Sequence, residues 1–384
     1  MPNVRLGRTG ARGAEDPRLN GRLQTASAED ATAVGGATTA EPATPPGRST
    51  EAIERLAAQD LLRCPVDGTP LIWNPLTGRL ESGCRSFAIQ AGIPCLFVPN
   101  QWPADRADVT GIVQQFYERT PFPNYDDLDS RDSLRRKARD GVLARLLDEQ
   151  ISHTATILEV GCGTGQLTNF LGMGWGRTVI GADLCMNSLI LAETFRDRFS
   201  INNAYFVQMN LFKPPFRKEC FDVVVSKGVL HHTSDCGAAF RSIAPLVKSG
   251  GVIIVGLYNR LGRLPTLWRR RLIDRFGAMG ALLDHRLRDR GEAARREAWF
   301  MDQYKHPHET RHSIDEVLGW FDAAGFEFTQ CIPTIGDAEI SEDMRLFERR
   351  SAGRYLDRLS TELEMLLTGG ADGGLFVMIG RRRR

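Results

Sequence analysis

Apolar runs and helical segments alternate along the C-terminal part of the chain. From about residue 151, five runs rich in β-branched and other apolar residues are separated by segments with helical periodicity, such as MNSLILAETFRDRF. The five runs read TILEVG, TVIGAD, AYFVQM, FDVVVS and GVIIVGL. Nearly continuous apolar strands joined by helices are typical of a parallel sheet that is covered on both faces. The pattern therefore predicts a doubly wound α/β domain.

Two more runs extend this pattern towards the C-terminus. The helical segment IDEVLGWFDAAG precedes a strand-like FEFTQCIP, and after a charged helix the run LFVMIG comes before four terminal arginines. Together with the five earlier runs, they predict a mostly parallel sheet of seven strands.

The N-terminal part of the chain has a different pattern. Residues 1–49 are rich in Ala, Gly, Thr, Pro and Arg without apolar periodicity, which predicts a disordered tail. Residues 50–100 hold one helix-like piece and then short apolar runs broken by turn signals, which predict a small β-rich module. Residues 101–150 are predicted to be a linker with N-terminal helices, and residues 151–384 to form the α/β domain.

A helical insertion interrupts the α/β domain at 260–311. It contains thirteen Lys or Arg and seven Asp or Glu, a local excess of +6, interleaved with aromatic residues. The favoured interpretation is a solvated helical cap, because long basic side chains cover apolar surface well. An RNA or phosphate surface stays open as the alternative.

The overall composition indicates a soluble, cytoplasmic protein. The 384 residues carry a formal net charge of +2, which is too balanced for a protein that coats nucleic acid. The eight scattered cysteines do not resemble a secreted disulfide scaffold, so we expect reduced thiols. No secretory signal pattern is present, and we expect no membrane span because the longest apolar runs are too short.

The strongest chemical signal is the stretch ILEVGCGTGQL. A strand runs into Gly161, Gly163 and Gly165 and then into a helix, which brings bare backbone and helix N-terminal amides against an anionic group. Dinucleotide binding requires G-x-G-x-x-G, whereas Gln166 stands where the last glycine belongs. Asp183 closes the second strand, where a carboxylate can bind both ribose hydroxyls of an adenosine. The pattern favours an adenosine with an anionic tail over a nicotinamide dinucleotide.

Across roughly 151–258, the sequence resembles the class I S-adenosylmethionine (SAM) dependent methyltransferases, which have a Rossmann-like fold. The matching text is EVGCGTG, then Asp183, then Asn210 after the third strand, then FDVVVSKGVLHHTSD and KSGGVIIVGLYN. The resemblance implies SAM as cofactor, with the glycine loop at its methionine part, Asp183 at the ribose and Asn210 at the adenine amino group. An acid is frequent in the family where Asn210 stands, and the amide carbonyl can still accept from an amino group. The cofactor-binding residues implied are Glu159, Gly161, Gly163, Gly165, Asp183, Asn210, Leu211 and Ser226.

Catalysis of methyl transfer consists mainly in orienting the nucleophile and the methyl group and in excluding water. A general base is needed only where the acceptor carries a proton of high pKa, and His231 and His232 after the fourth strand are the candidates. The favoured alternative is that LHHTSD only shapes the loop over the cofactor.

Two segments outside the common pattern are candidates for the acceptor pocket. Methyltransferases of this class usually build that pocket from segments before the first strand and after the fifth, here GIVQQFYERTPFPNYDD and DQYKHPHE. The candidate residues are Phe116, Tyr117, Phe122, Tyr125, Tyr304, His306 and His308. The same residues are equally compatible with aromatic side chains that only pin two long connections to the sheet.

Residues 50–100 resemble a Trm112-like or zinc-ribbon-like module. Such modules hold zinc with C-x-x-C pairs, but here Asp67 follows Cys64 and Phe87 follows Cys84 at the position of the second thiol. Structural zinc requires four ligands, so we expect this fold without a metal. In related two-part proteins such modules support methylation of tRNA, rRNA or translation factors, which keeps a macromolecular acceptor open.

The stretch YKHPHETRHSIDE contains HETRH, a literal match to the H-E-x-x-H pattern of zinc peptidases. That site requires both histidines one turn apart on a helix. Ser313 and Glu316 form a capping-box pattern, which predicts that the helix starts at Ser313 with Glu316 reaching back to it. His308 and His312 would then precede the helix, so we expect no peptidase site.

The sequence supports three hypotheses about function. The favoured one is a SAM-dependent methyltransferase that acts on a small molecule or a lipid-like metabolite. The second keeps the cofactor and has RNA or protein as the acceptor. The third belongs to another class of protein, a non-catalytic SAM-binding partner in a complex.

Overall fold

The computed structural model describes most of the chain after the N-terminal segment. The described residues are 46–83, 85–103, 107–123, 125, 130–277, 284, 293–336, 344–368 and 373–384. Pro45–Arg384 form one compact unit. Helix α1 (Pro46–Ala58) begins inside the segment predicted as a tail, and the rest of that prediction lies outside the described residues.

Two small antiparallel sheets follow helix α1. A three-stranded sheet contains β1 (Ile72–Asn74), β2 (Arg79–Ser82) and β3 (Arg85–Phe87), and a hairpin contains β4 (Ile89–Gln90) and β5 (Ile93–Pro94). The predicted β-rich part is therefore confirmed. Its likeness to a Trm112-like module stays a prediction, since Cys84 lies outside the described residues.

A seven-stranded sheet forms the centre of the molecule. Its strands are β6 (Thr156–Val160), β7 (Thr178–Asp183), β8 (Ala204–Gln208), β9 (Phe221–Lys227), β10 (Val247–Tyr258), β11 (Phe326–Ile332) and β12 (Leu375–Arg382). They lie in the order β8-β7-β6-β9-β10-β12-β11, with β12 antiparallel to both of its neighbours and the other pairs parallel. The predicted doubly wound, mostly parallel seven-stranded sheet is confirmed.

Helices cover both faces of this sheet. Before it come α2 (Thr110–Arg119), α3 (Arg131–Asp140) and α4 (Val142–Gln150), and between its strands α5 (Gln166–Gly172), α6 (Met186–Arg198) and α7 (Cys236–Ile243). After β10 come α8 (Leu264–Phe276), α9 (Ala293–Phe300), a π-helical turn (Met301–Lys305), α10 (Ile314–Ala323) and α11 (Tyr355–Leu367). Within the described ranges, no helix is long and apolar enough to cross a bilayer.

Alternating residues of the central strands contribute to two hydrophobic cores, one on each face of the sheet. Along β9, Val224 belongs to one core while Val223 and Val225 belong to the other. This is the alternation that a strand buried on both faces requires, and it explains why the run FDVVVS is apolar throughout. With both faces covered, the carboxyl ends of the parallel strands are left as the place for a ligand.

Candidate active site

A cavity of about 380 Å³ lies where the carboxyl ends of β6, β7, β8 and β9 converge. Loops at this edge meet a segment from before β6, around α2, and a segment from after β10, around the π-helical turn. The predicted cofactor residues that line the cavity are Glu159, Gly161, Gly163, Asp183, Asn210 and Leu211.

The glycine loop between β6 and α5 has a backbone that only glycine adopts readily. Gly161, Gly163 and Gly165 have φ values of +72°, +53° and +71°. A Cβ at Gly161 would run into the side chain of Val229, and one at Gly163 into the carbonyl oxygen of Phe122. Close packing from two sides thus holds the loop at the cavity, with Gly165 behind it as the residue that precedes α5.

Asp183 connects the ends of β7 and β6 through backbone hydrogen bonds. Its Oδ2 accepts from the amide of Gly163 at 2.8 Å, and its Oδ1 accepts from the amide of Cys185 at 2.9 Å. Burial raises the pKa of Asp183 above its ordinary value, and these hydrogen bonds oppose the rise. Each carboxylate oxygen can accept a further hydrogen bond, so Asp183 is oriented and still able to bind a ligand.

Glu159 lies on the same edge, at the end of β6. Its Oε2 accepts from the Thr168 hydroxyl at 2.5 Å. Burial raises the pKa of Glu159 to about 7, while the Thr168 hydrogen bonds and the nearby charge of Lys227 act in the opposite direction. A carboxyl that titrates near neutrality therefore faces the cavity.

Asn210 holds the segment between the small sheets and α2 against the cavity. Its Nδ2 donates to the carbonyl of Val98 at 2.9 Å and to Oδ1 of Asn100 at 2.7 Å, and its own Oδ1 accepts from the amide of Phe212 at 3.0 Å. The amide hydrogens are thus used within the protein, and the carbonyl keeps one lone pair for a ligand. Ser226 lies behind the lining, where its buried hydroxyl donates to the carbonyl of Val160 at 3.1 Å.

The two candidate bases differ in position. His232 lines the cavity, and its Nδ1 lies 2.9 Å from the carbonyl oxygen of His308. A carbonyl only accepts, so Nδ1 carries the proton and Nε2 keeps its lone pair. Burial lowers the pKa of His232 to about 3, which leaves the ring neutral at physiological pH.

His231 lies behind His232 and is fully buried. Its ring centre lies 4.2 Å from that of His232 and 4.0 Å from that of Tyr258. Neither ring nitrogen has a hydrogen-bond partner among the described residues, and burial lowers its pKa well below the ordinary value. The geometry therefore favours His232 over His231 as a group that meets a substrate.

Tyr117 is the predicted acceptor residue that the structure places most directly in the cavity. Its hydroxyl donates to Oδ1 of Asp302 at 2.9 Å, which joins α2 to the π-helical turn. Phe122 also lines the cavity. His306 stacks on His232 with ring centres 3.6 Å apart, and Nε2 of His308 lies 3.1 Å from the carbonyl of Thr233. His306 through its ring and His308 through its backbone carbonyl thus hold His232 in position.

The remaining three predicted acceptor residues do not line the cavity. The ring of Phe116 packs against those of Tyr117 and His306, with ring centres 5.2 and 5.0 Å away. Tyr125 stacks on Phe195 with ring centres 4.5 Å apart, and its hydroxyl accepts from Nδ2 of Asn169 at 3.0 Å. Tyr304 is buried, and its hydroxyl donates to Asp284 at 2.7 Å within the insertion. Both tyrosines pin their connections to the rest of the fold, which was the alternative interpretation of these segments.

Asp302, Gln303, Tyr258 and Trp299 also line the cavity, and sequence reasoning missed them. Asp302 is the first residue of DQYKHPHE, which was predicted to contribute to the acceptor pocket. Within that stretch, only the tyrosine and the histidines were named as candidates. The one feature of the sequence that could have pointed to Asp302 is a carboxylate among aromatic residues within the insertion.

A buried ion pair supports this side of the cavity. Arg263 is fully buried, and its Nη2 lies 2.7 Å from Oε2 of Glu309. The Arg263 guanidinium also donates to Oε1 of Gln303 at 2.6 Å and lies 3.6 Å from the ring centre of Tyr258. Arg263 thereby fixes two lining residues and neutralises Glu309.

Glu309 is the glutamate of the HETRH match, so its pairing bears on the peptidase hypothesis. His308 and His312 precede α10, whose N-cap is Ser313 as predicted. One detail of the capping prediction is wrong, because Oε1 of Glu316 lies 2.8 Å from Nδ1 of His312 instead of reaching back to Ser313. Both histidines and the glutamate of the match thus have structural partners, and the helical geometry of a peptidase site is missing here.

A comparison of the sequence with known protein families matches the part of the chain that forms one side of this cavity. Residues 158–255 match the family model described as a methyltransferase domain. This part of the chain is a methyltransferase domain. The domain thus contains the loops after β6, β7, β8 and β9 that form one side of the cavity.

Curated relatives of the methyltransferase domain are distant. An uncharacterised protein of Synechococcus is 26% identical over 196 residues, 45% of this chain and 47% of that protein. The malonyl-acyl-carrier-protein O-methyltransferase of Acetivibrio thermocellus is 27% identical over 150 residues, 39% of this chain and 50% of that enzyme. The chain thus spans about half the length of these relatives. Among solved structures, the YcgJ protein of Bacillus subtilis superimposes with a TM-score of 0.40 and 16% identity, over 64% of this chain and 99% of that one.

Proposed function

We propose that the protein transfers a methyl group from SAM to a small molecule bound in the same cavity. The observation that most strongly supports this proposal is that one cavity contains both the predicted cofactor residues and the predicted acceptor residues. One cavity joins the glycine loop and Asp183 to a polar group formed by the half-buried Tyr117 and the buried His232 and Asp302. A donor and an acceptor that share one enclosed space can be aligned for direct transfer.

The residues of the cofactor side fit SAM by their chemistry. Asp183 retains acceptor capacity for ribose hydroxyls, and Met209, Leu211 and Phe212 provide an apolar wall for an adenine ring. Glu159 supplies negative charge for a cationic ligand. When bound, SAM supplies an electrophilic methyl group on a positively charged sulfur.

The acceptor side favours a small molecule over RNA or protein. Val109, Thr110 and Val113 at the start of α2 line the cavity together with residues of the insertion. The Tyr117–Asp302 hydrogen bond closes the space between these two segments. An acceptor held between them is shielded from water, which suits methyl transfer and leaves little room for a macromolecule.

Calorimetry with SAM and the full chain tests the cofactor part of this proposal. We expect one site per chain, and an Asp183→Ala variant that binds about tenfold or more weaker, as loss of hydrogen bonds to a charged group predicts. The matched control is Asp132→Ala, which changes an exposed aspartate on α3. Failure of the wild-type chain to bind SAM would overturn the proposal.

Transfer of labelled methyl from SAM into cell extract tests the acceptor part. The products are separated into small-molecule, lipid, RNA and protein fractions, and we expect label in the small-molecule fraction. Label in RNA or protein alone would support the macromolecular hypothesis instead. SAM binding without transfer into any fraction would support the non-catalytic partner.

A further inference from the structure

We propose that the acceptor is an aliphatic amine, bound as an ammonium ion against the carboxylate of Asp302. This inference rests on the proposed function and narrows it to N-methylation. The hydrogen bonds and charges around Asp302, which lies in the π-helical turn of the insertion, support this assignment.

Asp302 is oriented towards the cavity by two donors. Oδ1 accepts from the Tyr117 hydroxyl at 2.9 Å, and Oδ2 accepts from Nε2 of Gln303 at 2.8 Å. A carboxylate accepts about four hydrogen bonds, so about two acceptor positions are left on a side chain that lines the cavity. A ligand with several N–H donors would complete this arrangement.

No cation of the described chain neutralises Asp302. Arg263 acts on it from a distance but is hydrogen-bonded to Glu309, and Lys227 acts on Glu159 at the other end of the cavity. His232 and His306 are buried, and burial lowers the pKa of each to about 3, so both are neutral at physiological pH. Among the described residues, Asp302 therefore forms no salt bridge, and an ammonium ion provides that partner whereas an anionic acceptor does not.

The polar groups around Asp302 present acceptors to the cavity. The Tyr117 hydroxyl donates to Asp302, and Nε2 of Gln303 donates to Asp302 and, at 3.0 Å, to the Tyr258 hydroxyl. Nε2 of His232 retains its lone pair because Nδ1 carries the proton. An ammonium ion, which only donates, matches a carboxylate and an imidazole lone pair.

Aromatic rings complete this environment. Tyr117, Phe122 and Trp299 line the same cavity. The faces of aromatic rings attract cations, and the attraction is stronger where water is excluded. The combination of a carboxylate with aromatic lining is a common solution for binding ammonium groups.

The transfer step requires only the amine, SAM and the carboxylate of Asp302. The bound ammonium gives one proton to the Asp302 carboxylate, which exposes the nitrogen lone pair. The nitrogen then forms a bond to the methyl carbon while the carbon–sulfur bond breaks and its electron pair stays on sulfur. The product is a methylated ammonium ion, and the proton leaves Asp302 for solvent.

The chemical nature of the labelled product tests the inference. The full chain, cell extract and methyl-labelled SAM are incubated, and the small-molecule products are applied to a cation exchanger at acidic pH and then treated with alkali. N-methylated amines are retained on the exchanger and keep their label in alkali. Label in unretained products, or label released as methanol from esters, would overturn the amine inference while leaving the methyltransferase proposal in place.

Asp302→Asn tests the residue itself, with Asp274→Asn as the control on the exposed surface of the same insertion. We expect Asp302→Asn to lower transfer into the retained fraction by about thirtyfold or more, as loss of a charged hydrogen-bond partner predicts. SAM affinity measured by calorimetry should stay within about twofold of wild type in both variants. Wild-type transfer by Asp302→Asn would overturn the inference, and loss of SAM binding by the wild-type chain would overturn the proposed function instead.

Discussion

At the scale of single residues, the pKa of Glu159 predicts that the affinity for SAM depends on pH. Burial raises this pKa to about 7, and a cationic ligand favours the ionised carboxylate. Below the pKa, binding of SAM must therefore expel a proton from Glu159. We expect the affinity to rise by about tenfold per pH unit up to about pH 7 and to level off above it.

Calorimetry of SAM binding between about pH 5.5 and 8.5 measures this dependence. In Glu159→Gln the group can no longer titrate, so the slope below neutrality should disappear. The same slope in the variant would mean that another group is responsible.

A second prediction at this scale concerns the buried pair of Arg263 and Glu309. Removing one partner leaves an uncompensated charge where little water reaches, since the Arg263 side chain is fully buried and the Glu309 side chain is 8% exposed. We expect Arg263→Met or Glu309→Gln to lower the free energy of unfolding by about 3–5 kcal/mol. The double variant Arg263→Met/Glu309→Met should lose less than either single variant, since it leaves no isolated charge.

Denaturant unfolding followed by circular dichroism measures these changes. Arg349→Ala is the control, because Arg349 pairs with Glu327 at 3.1 Å on the exposed surface. Exposed pairs contribute about 0–1 kcal/mol. An equally small effect for Arg263→Met would show that the buried pair does not support the fold.

Single residues also show where sequence reasoning reached its limit. Gly161, Gly163 and Asp183 could be placed at the cavity, because their roles follow from local strand-to-helix geometry. Asp302 could not, since its importance depends on α2 bringing Tyr117 to it from 185 positions away. Local patterns encode contacts between neighbours, whereas this pair exists only after the two long connections have folded over the sheet.

At the scale of elements, the glycine loop and α5 are held by close packing as much as by backbone conformation. A Cβ at Gly165 would lie 2.5 Å from Cε1 of Phe206 and 2.7 Å from Cβ of Ala192. Both neighbours belong to a buried cluster, so they cannot move without disturbing β8 and α6. The spacing of glycines in the sequence predicted the turn, but it did not predict this steric requirement.

Gly165→Ala and Gly68→Ala separate these two effects. Gly68 has a similar φ of +75°, but a Cβ added there would meet nothing within 4 Å, whereas Gly165 has a φ of +71° and buried neighbours. We expect Gly68→Ala to cost about 1–2 kcal/mol for the left-handed backbone alone. Gly165→Ala should cost about 1–3 kcal/mol more through overpacking and should also weaken SAM binding.

Denaturant unfolding and SAM calorimetry on both variants make this comparison. Similar losses of stability in Gly165→Ala and Gly68→Ala would show that Phe206 can move away from an added Cβ at little energetic cost. In that case the backbone conformation alone would explain the glycine at position 165.

At the scale of the whole molecule, the N-terminal sheets and the methyltransferase domain share one core. Leu62, Leu80 and Leu96 are buried in the same cluster as Val207 and Phe216. The composition of residues 50–100 predicted a β-rich module, but turn signals carry no information about which surface such a module covers. The structure shows that it continues the sheet edge, since the amide of Leu96 donates to the carbonyl of Gln208 at 2.9 Å.

This shared core predicts how truncation acts. A chain that begins at Pro45 keeps every contact that the structure describes, and we expect it to bind SAM as the full chain does. A chain that begins at Gln101 loses six leucines from the shared cluster. Burying each leucine side chain contributes about 1.5–3 kcal/mol to the free energy of unfolding. The six together contribute about as much as the total of about 5–15 kcal/mol that is usual for a folded protein. It also loses Val98 and Asn100, which hold Asn210 at the cavity.

We therefore expect the chain from Gln101 to show no cooperative thermal transition by circular dichroism and no SAM binding by calorimetry. The chain from Pro45 is the matched control, with a melting temperature close to that of the full protein. If the shorter chain melted cooperatively and bound SAM, the methyltransferase domain would fold without the N-terminal sheets. Those sheets would then be an appendage, whereas the buried leucines and the hydrogen bonds of Asn210 indicate that they are part of the structure that shapes the cavity.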